Sequence, residues 1–206
     1  MAGCCESECG LNPASDKQRQ TLRIVLAVNA VMFAVIVTAA VFGNSSSLLA
    51  DSLDNLGDAL TYGFSLYAVS KAVTIKAKVA LLKGGLILAA AVVVAVSVGY
   101  KVLYPGLPSY ETMGIFSIAG LVANSICLAL LWRHRSDDVN MSSVWECSRN
   151  DIASNLSVFV AAGAVWATGS AWPDMVVAAA LVLLLLRSAI RVNSSAITEL
   201  RIASSV

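Results

Sequence analysis

Three aspartates stand close together in an apolar stretch, in the segment ADSLDNLGDA that covers residues 50–59. Asp51, Asp54 and Asp58 have no lysine or arginine within ten residues on either side. On an α-helix their side chains share one face, and Asp54 and Asp58 are one turn apart. Carboxylates in lipid normally face a cavity, a partner or an ion, and neighbouring ones repel unless protonated or bound to a cation. Asp54 and Asp58 are therefore predicted to bind a cation, with Asp51 as an auxiliary group that lines the approach or caps the helix.

A second pair with the same spacing follows in the segment CSRND, where Cys147 and Asp151 are four residues apart. A thiolate and three carboxylates from two helices would form a four-ligand site suited to a divalent transition metal. Asn150 is predicted as an additional or outer ligand. The alternative for Cys147 is a small core residue, which is also the interpretation for the isolated Cys127.

The composition restricts the class of protein. Of the 206 residues, 58% are hydrophobic and 13% are charged, with a mean hydropathy of +0.77, whereas soluble domains carry about 25% charged residues. These values indicate an integral membrane protein. No basic face or aromatic platform is available for nucleic acid. The five cysteines are an odd number and favour reduced thiols over a disulfide framework.

The elements that position the two pairs are predicted as membrane-spanning helices of about 20 residues, the length that crosses a bilayer. The second and fifth are the least apolar, because they carry the acidic pairs. The sequence therefore predicts an all-α membrane protein with six transmembrane helices. Their predicted ranges are 22–43, 48–70, 83–104, 113–132, 144–168 and 174–192.

Lysine and arginine set the predicted orientation, because basic residues accumulate in cytoplasmic loops. Lys101 alone falls on the outer side and Arg149 lies within the fifth span, so both termini are expected in the cytoplasm. The predicted parts are a cysteine-containing cytoplasmic tail (1–20), a six-helix transmembrane transport domain (21–195) and a short cytoplasmic tail (196–206). The twelve basic residues on the inner side are Lys17, Arg19, Arg23, Lys71, Lys76, Lys78, Lys83, Arg133, Arg135, Arg187, Arg191 and Arg201.

The segments SSSLLADSLDNLGDAL and NMSSVWECSRNDIASN resemble the second and fifth helices of the cation diffusion facilitators. These six-helix transporters carry a (His or Asp)-x3-Asp pair on each of those two helices. The resemblance covers roughly residues 20–195 and implies that Asp54, Asp58, Cys147 and Asp151 are the metal ligands. Cys147 stands where the family usually has histidine or aspartate. The family's histidine-rich loop and cytoplasmic metal-binding domain have no counterpart, and His134 is the only histidine.

The resemblance implies a transporter, not an enzyme, that exports divalent metal in exchange for protons by alternating access and needs no resident cofactor. The thiolate of Cys147 favours zinc or cadmium over harder ions, with lead, cobalt, iron and mercury left open. Cys4, Cys5 and Cys9 are predicted to capture soft metals, with an incidental cysteine-containing tail as the alternative. The expected setting is the bacterial inner membrane, with a homodimer, if one forms, joined through the membrane helices.

Two other functions remain open at this stage. A membrane metal sensor or accessory subunit would bind metal without transport. A magnesium-dependent membrane prenyltransferase would use Asp51, Asp54 and Asp58 as a DxxDxxxD motif. Asn29 and Asn124 either line the transport pathway or join neighbouring helices.

Overall fold

The described residues of the computed structural model, 16–68, 73–132 and 139–204, are helical almost throughout and contain no β-strand. They form six helices in the predicted order, so the all-α interpretation is confirmed. The helices are α1 (Asp16–Phe42), α2 (Ser46–Ala68), α3 (Val73–Leu103), α4 (Tyr110–Trp132), α5 (Val139–Thr168) and α6 (Trp172–Ser204).

Several helices are longer than their predicted spans. α3 begins at Val73 rather than near residue 83, and α6 continues to Ser204 rather than ending near residue 192. Most of the predicted tail 196–206 is therefore helical. The predicted limits followed the apolar residues, whereas hydrogen bonding within a helix continues into polar sequence. Five helices are long and apolar enough to cross a membrane, and α2 is the one that does not meet this criterion.

The helices associate as three tightly packed pairs, α1 with α2, α4 with α5, and α3 with α6. Further contacts of α1 with α4 and of α2 with α5 close the first two pairs into a four-helix ring. The α3–α6 pair packs against this ring mainly through α2. The junction between the α1–α2 pair and the α4–α5 pair, here called the seam, runs through the centre of the ring.

Two asparagine–glycine contacts show how closely the paired helices approach. The carboxamide of Asn155 in α5 lies against Gly120 of α4, where a Cβ atom would collide with it. Asn193 of α6 lies against Gly84 of α3 in the same way. Small residues allow the backbones of membrane helices to come close, so these contacts fix the α4–α5 and α3–α6 pairs.

A buried polar group joins three helices at one end of the bundle. The carboxylate of Asp174, in the first turn of α6, accepts hydrogen bonds from the backbone N–H groups of Ser46 (2.9 Å) and Ser47 (3.0 Å). It also accepts bonds from the hydroxyls of Ser45 (2.7 Å) and Ser47 (2.6 Å). Lys101, in the last turn of α3, forms a salt bridge with it at 3.4 Å. These five residues are the Asp174 cluster, and they satisfy the free N–H groups at the start of α2.

The Asp174 cluster defines two ends of the molecule. It gathers the start of α2, the end of α3 and the start of α6 at the Asp174 face, and the backbone N–H of Ser109 bonds to the Gly43 carbonyl there. Because successive helices alternate in direction, α1 begins and α6 ends at the opposite end, the terminal face. The two ends of the described chain therefore lie on the same side, as the predicted topology requires.

Replacing Asp174 by alanine is expected to destabilise the protein strongly, since it leaves Lys101 and four hydrogen-bond donors buried without their acceptor. Breaking a buried ion pair on one side costs about 3–5 kcal/mol, so the melting temperature should fall by at least about 6 °C. Thermal unfolding of the purified protein in detergent measures this fall. Glu111→Ala, at an exposed position near the same face, is the control, and equal melting temperatures for the two variants would contradict the prediction.

Candidate metal site

The buried face of α2 is a continuous polar stripe formed by Asp51, Asn55, Asp58 and Tyr62, all of them 6% exposed or less. Their spacing of four, three and four residues places them on one side of the helix. Asp54 lies at the edge of this stripe and is only half-buried. The structure thus places Asp51 and Asp58 deeper in the molecule than Asp54.

Asp58 of α2 and Asp151 of α5 lie close to each other across the seam, near enough for their carboxyl groups to interact directly. Asp58 is 6% and Asp151 4% exposed. Two ionised carboxylates this close would repel each other strongly. Two buried members of the predicted pairs therefore come together, and a cation bound between them would relieve this repulsion.

The other two aspartates of α2 are also close enough to act electrostatically on Asp151. One carboxylate oxygen of Asp51 and one of Asp151 are buried without a hydrogen-bond partner. Asp51 does not cap α2, because the helix begins at Ser46 and its free N–H groups are bound by Ser45 and Asp174. The capping alternative for Asp51 is therefore wrong, and the residue belongs to the buried acidic group.

The remaining predicted ligands are located less fully. Residue 147 lies in α5 one turn before Asp151, but the Cys147 side chain falls outside the described part of the chain. The side chain of Asn150 is exposed, so it lies on a different side of α5 from the buried Asp151. Its expected role as an additional ligand does not fit this placement. Cys4, Cys5, Cys9 and His134 also lie outside the described residues.

The described acidic side chains do not by themselves surround a single point. Among the side chains that the structure describes, no three histidine, cysteine, aspartate or glutamate residues are close enough together to hold one ion. The predicted ligand set includes Cys147, whose side chain is not among those described. Closure of a site around Asp58 and Asp151 therefore depends on Cys147 or on donors of other types.

Apolar residues flank the acidic group on both sides along the bundle axis. The terminal-face cluster consists of Leu22, Val25, Tyr62, Cys127 and Leu131, with Trp145 of α5 packed against it. The Asp174-face cluster includes Ile36, Leu48, Met113 and Val158. Cys127 is fully buried in the first of these, which confirms its interpretation as a packing residue. The carboxylates are thus enclosed in a polar layer between two dry regions, where electrostatic interactions are strong.

Tyr62 is a site residue that the sequence analysis missed. Its hydroxyl donates a 2.9 Å hydrogen bond to Oδ2 of Asp58, and the side chain has no exposed surface. The spacing of four residues could have revealed it, because such pairs meet on a helix. Tyr62 orients the carboxyl of Asp58 from the terminal-face side.

Comparison with known proteins identifies the family. A sequence profile described as the cation efflux transmembrane domain matches residues 22–201 of the 206-residue chain. The match overlaps all six helices and includes both predicted pairs. A search of curated proteins gave no match.

Tyr62→Phe is expected to weaken the binding of divalent metal by about tenfold, because groups that orient a ligand typically contribute this much or more. The ring keeps its place in the terminal-face cluster, so folding should be unchanged. Calorimetric titration of the purified protein with cadmium measures the affinity. Tyr100→Phe, on the exposed side of α3, is the control, and wild-type affinity in the Tyr62 variant would show that this hydrogen bond does not support the site.

Proposed function

We propose, for a chain that belongs to the cation efflux family of membrane transporters, that it exports divalent heavy-metal ions in exchange for protons at a site formed by Asp54, Asp58, Cys147 and Asp151. Members of this family move metal cations across membranes and are not enzymes. The prenyltransferase alternative is therefore set aside. The observation that carries the proposal is the close approach of two buried carboxyl groups, Asp58 and Asp151, between two separate helix pairs.

The pair provides a physical reason for exchange. When no metal is bound, a proton between Asp58 and Asp151 relieves their repulsion. A dication bound by ionised carboxylates displaces that proton, since metal ligands must be deprotonated. One site can then carry a metal ion in one direction and protons in the other. The metal is the substrate of this process and no resident cofactor is required.

Alternating access follows from the location of the pair at the seam. Asp58 belongs to the α1–α2 pair and Asp151 to the α4–α5 pair, so relative movement of the two pairs changes the distance between the carboxylates. Separation at the terminal face would open the site past the cluster around Tyr62, and separation at the Asp174 face would open it past Leu48 and Met113. Movement of helix groups about a site near the bilayer midplane is a common transporter mechanism.

The basic residues support an orientation with the terminal face in the cytoplasm, and the protein would lie in the bacterial inner membrane. The thiolate of Cys147 supports zinc or cadmium as the transported ion. Cys4, Cys5 and Cys9 would collect such ions on the cytoplasmic side. A homodimer joined through the membrane helices is part of this proposal.

A sensor or accessory subunit that binds metal without moving it is the second candidate function. Proteoliposome assays with a luminal metal indicator and a pH dye separate the two candidates. Coupled metal and proton flux supports the transporter, and metal binding without flux supports the sensor.

Asp58→Ala and Asp151→Ala are each expected to reduce metal flux in such proteoliposomes to the background of empty vesicles, because either change leaves the dication without half of its central pair. Glu111→Ala, outside the site, should retain wild-type flux. The amount of inserted protein is checked for every variant. Near-normal flux in either aspartate variant would rule out the proposed site.

Cys147→Asp is expected to shift the preference from cadmium towards manganese, since it replaces a soft sulfur ligand by a hard oxygen ligand. Initial rates for both ions are measured in parallel on the wild type and the variant. An unchanged ratio of the two rates would show that the thiolate does not contact the transported ion.

A further inference from the structure

Two buried asparagines in the four-helix ring are not explained by packing alone. Asn124 of α4 is 1% exposed, and neither its carboxamide oxygen nor its nitrogen has a hydrogen-bond partner. Asn29 of α1 has no exposed surface, and its carboxamide oxygen is also without a partner. Buried polar atoms are normally hydrogen-bonded, so each of these oxygens needs an explanation.

The orientation of the Asn29 carboxamide is fixed by its own helix. Its nitrogen donates a 2.9 Å hydrogen bond to the backbone carbonyl of Val25, one turn earlier. The nitrogen must face that carbonyl because an oxygen there would be repelled. The carboxamide oxygen is consequently the atom that is left available for an external group.

The depth of both residues can be read from the terminal-face cluster, which contains Val25, Tyr62 and Cys127. Asn29 follows Val25 by one turn in α1, Asp58 precedes Tyr62 by one turn in α2, and Asn124 precedes Cys127 by nearly one turn in α4. Given the directions of these helices, all three steps lead towards the Asp174 face by about 4.5–6 Å. Asn29, Asp58 and Asn124 therefore lie at a similar depth.

Asp151 belongs to the same layer because its side chain lies close to that of Asp58. Each of the four helices of the ring thus contributes one polar side chain at this depth: Asn29 from α1, Asp58 from α2, Asn124 from α4 and Asp151 from α5. The buried face of α4 also places Asn124 between Gly120, which contacts Asn155 of α5, and Cys127, which lies within electrostatic range of Asp58.

We propose that the carboxamide oxygens of Asn124 and Asn29 bind the transported dication from α4 and α1, which makes its site a four-helix site rather than a two-helix site. This inference rests on the proposed function and adds two neutral oxygen ligands to it. Carboxylate and amide oxygens suit harder divalent ions, whereas the Cys147 thiolate suits softer ones. The mixed ligand set assigns a broad substrate class that includes partly hydrated manganese-like ions as well as cadmium-like ions.

Asn155 and Asn193 are asparagines whose role in this fold is explained by helix packing. Each also has a buried carboxamide oxygen without a hydrogen-bond partner, but that oxygen lies directly against a glycine of the neighbouring helix. These contacts account for the position of the two oxygens through close helix packing. Asn193, on the α3–α6 pair outside the ring, is therefore a matched control for Asn124.

The test measures the affinities of manganese and cadmium separately, by calorimetric titration of the purified wild type and of Asn124→Ala. Manganese affinity is expected to fall by about tenfold or more, and cadmium affinity by a clearly smaller factor because the thiolate remains. Asn124→Asp, which keeps an oxygen at this position, should restore manganese binding. Asn29→Ala should repeat the pattern of Asn124→Ala, and Asn193→Ala should bind both ions like the wild type.

Equal loss of both affinities in Asn124→Ala, or no loss of either, would overturn this inference, because a change in packing does not distinguish hard from soft ions. Failure of Asn124→Asp to restore manganese binding would overturn it as well. If the wild type transports metal but the Asn124 variants give either of these results, only the four-helix assignment is wrong. If the wild type binds neither ion, the proposed function falls with it.

Discussion

The mutual repulsion of acidic groups in a dry interior is the constraint on which the rest of this molecule depends. Asp58 and Asp151 are buried, close to each other, and held between apolar clusters at both ends of the ring. Lys101 forms a salt bridge with Asp174 at the Asp174 face. A proton or a bound metal ion between the central carboxylates relieves their mutual repulsion.

Because of the helix packing, the repulsion between Asp58 and Asp151 acts on the junction between two helix pairs. The tightest contacts lie within the pairs α1–α2 and α4–α5, and the acidic groups lie between the pairs. Any change in the charge held between Asp58 and Asp151 therefore acts on the weaker junction, while Gly120 and Asn155 keep the α4–α5 pair intact. Asn29 of α1 and Asn124 of α4 add buried polar side chains near this junction, so that every helix of the ring has one.

The sequence was sufficient for the features that depend on residue type and local spacing. Six helices, the acidic pairs and the packing role of Cys127 followed from hydrophobic segments and four-residue repeats. The length of α3 and α6 did not, because a hydropathy limit marks where lipid contact ends and not where a helix ends. The contact of Asp174 with Lys101 was also missed, since it joins residues distant in sequence and depends on tertiary packing. Asn124 looked equally suited to two roles until its neighbours on α4 were located.

The Asp174 cluster has a consequence for how the bundle can deform. One carboxylate receives five polar contacts from the start of α2 and the end of α3. To part α2 from α6 at this end, the four hydrogen bonds from Ser45, Ser46 and Ser47 would have to break together. The Asp174 cluster therefore holds these three helix ends together. The helix that bears Asp58 is fixed at its first turn, so any movement of α2 relative to α6 would be larger at its other end.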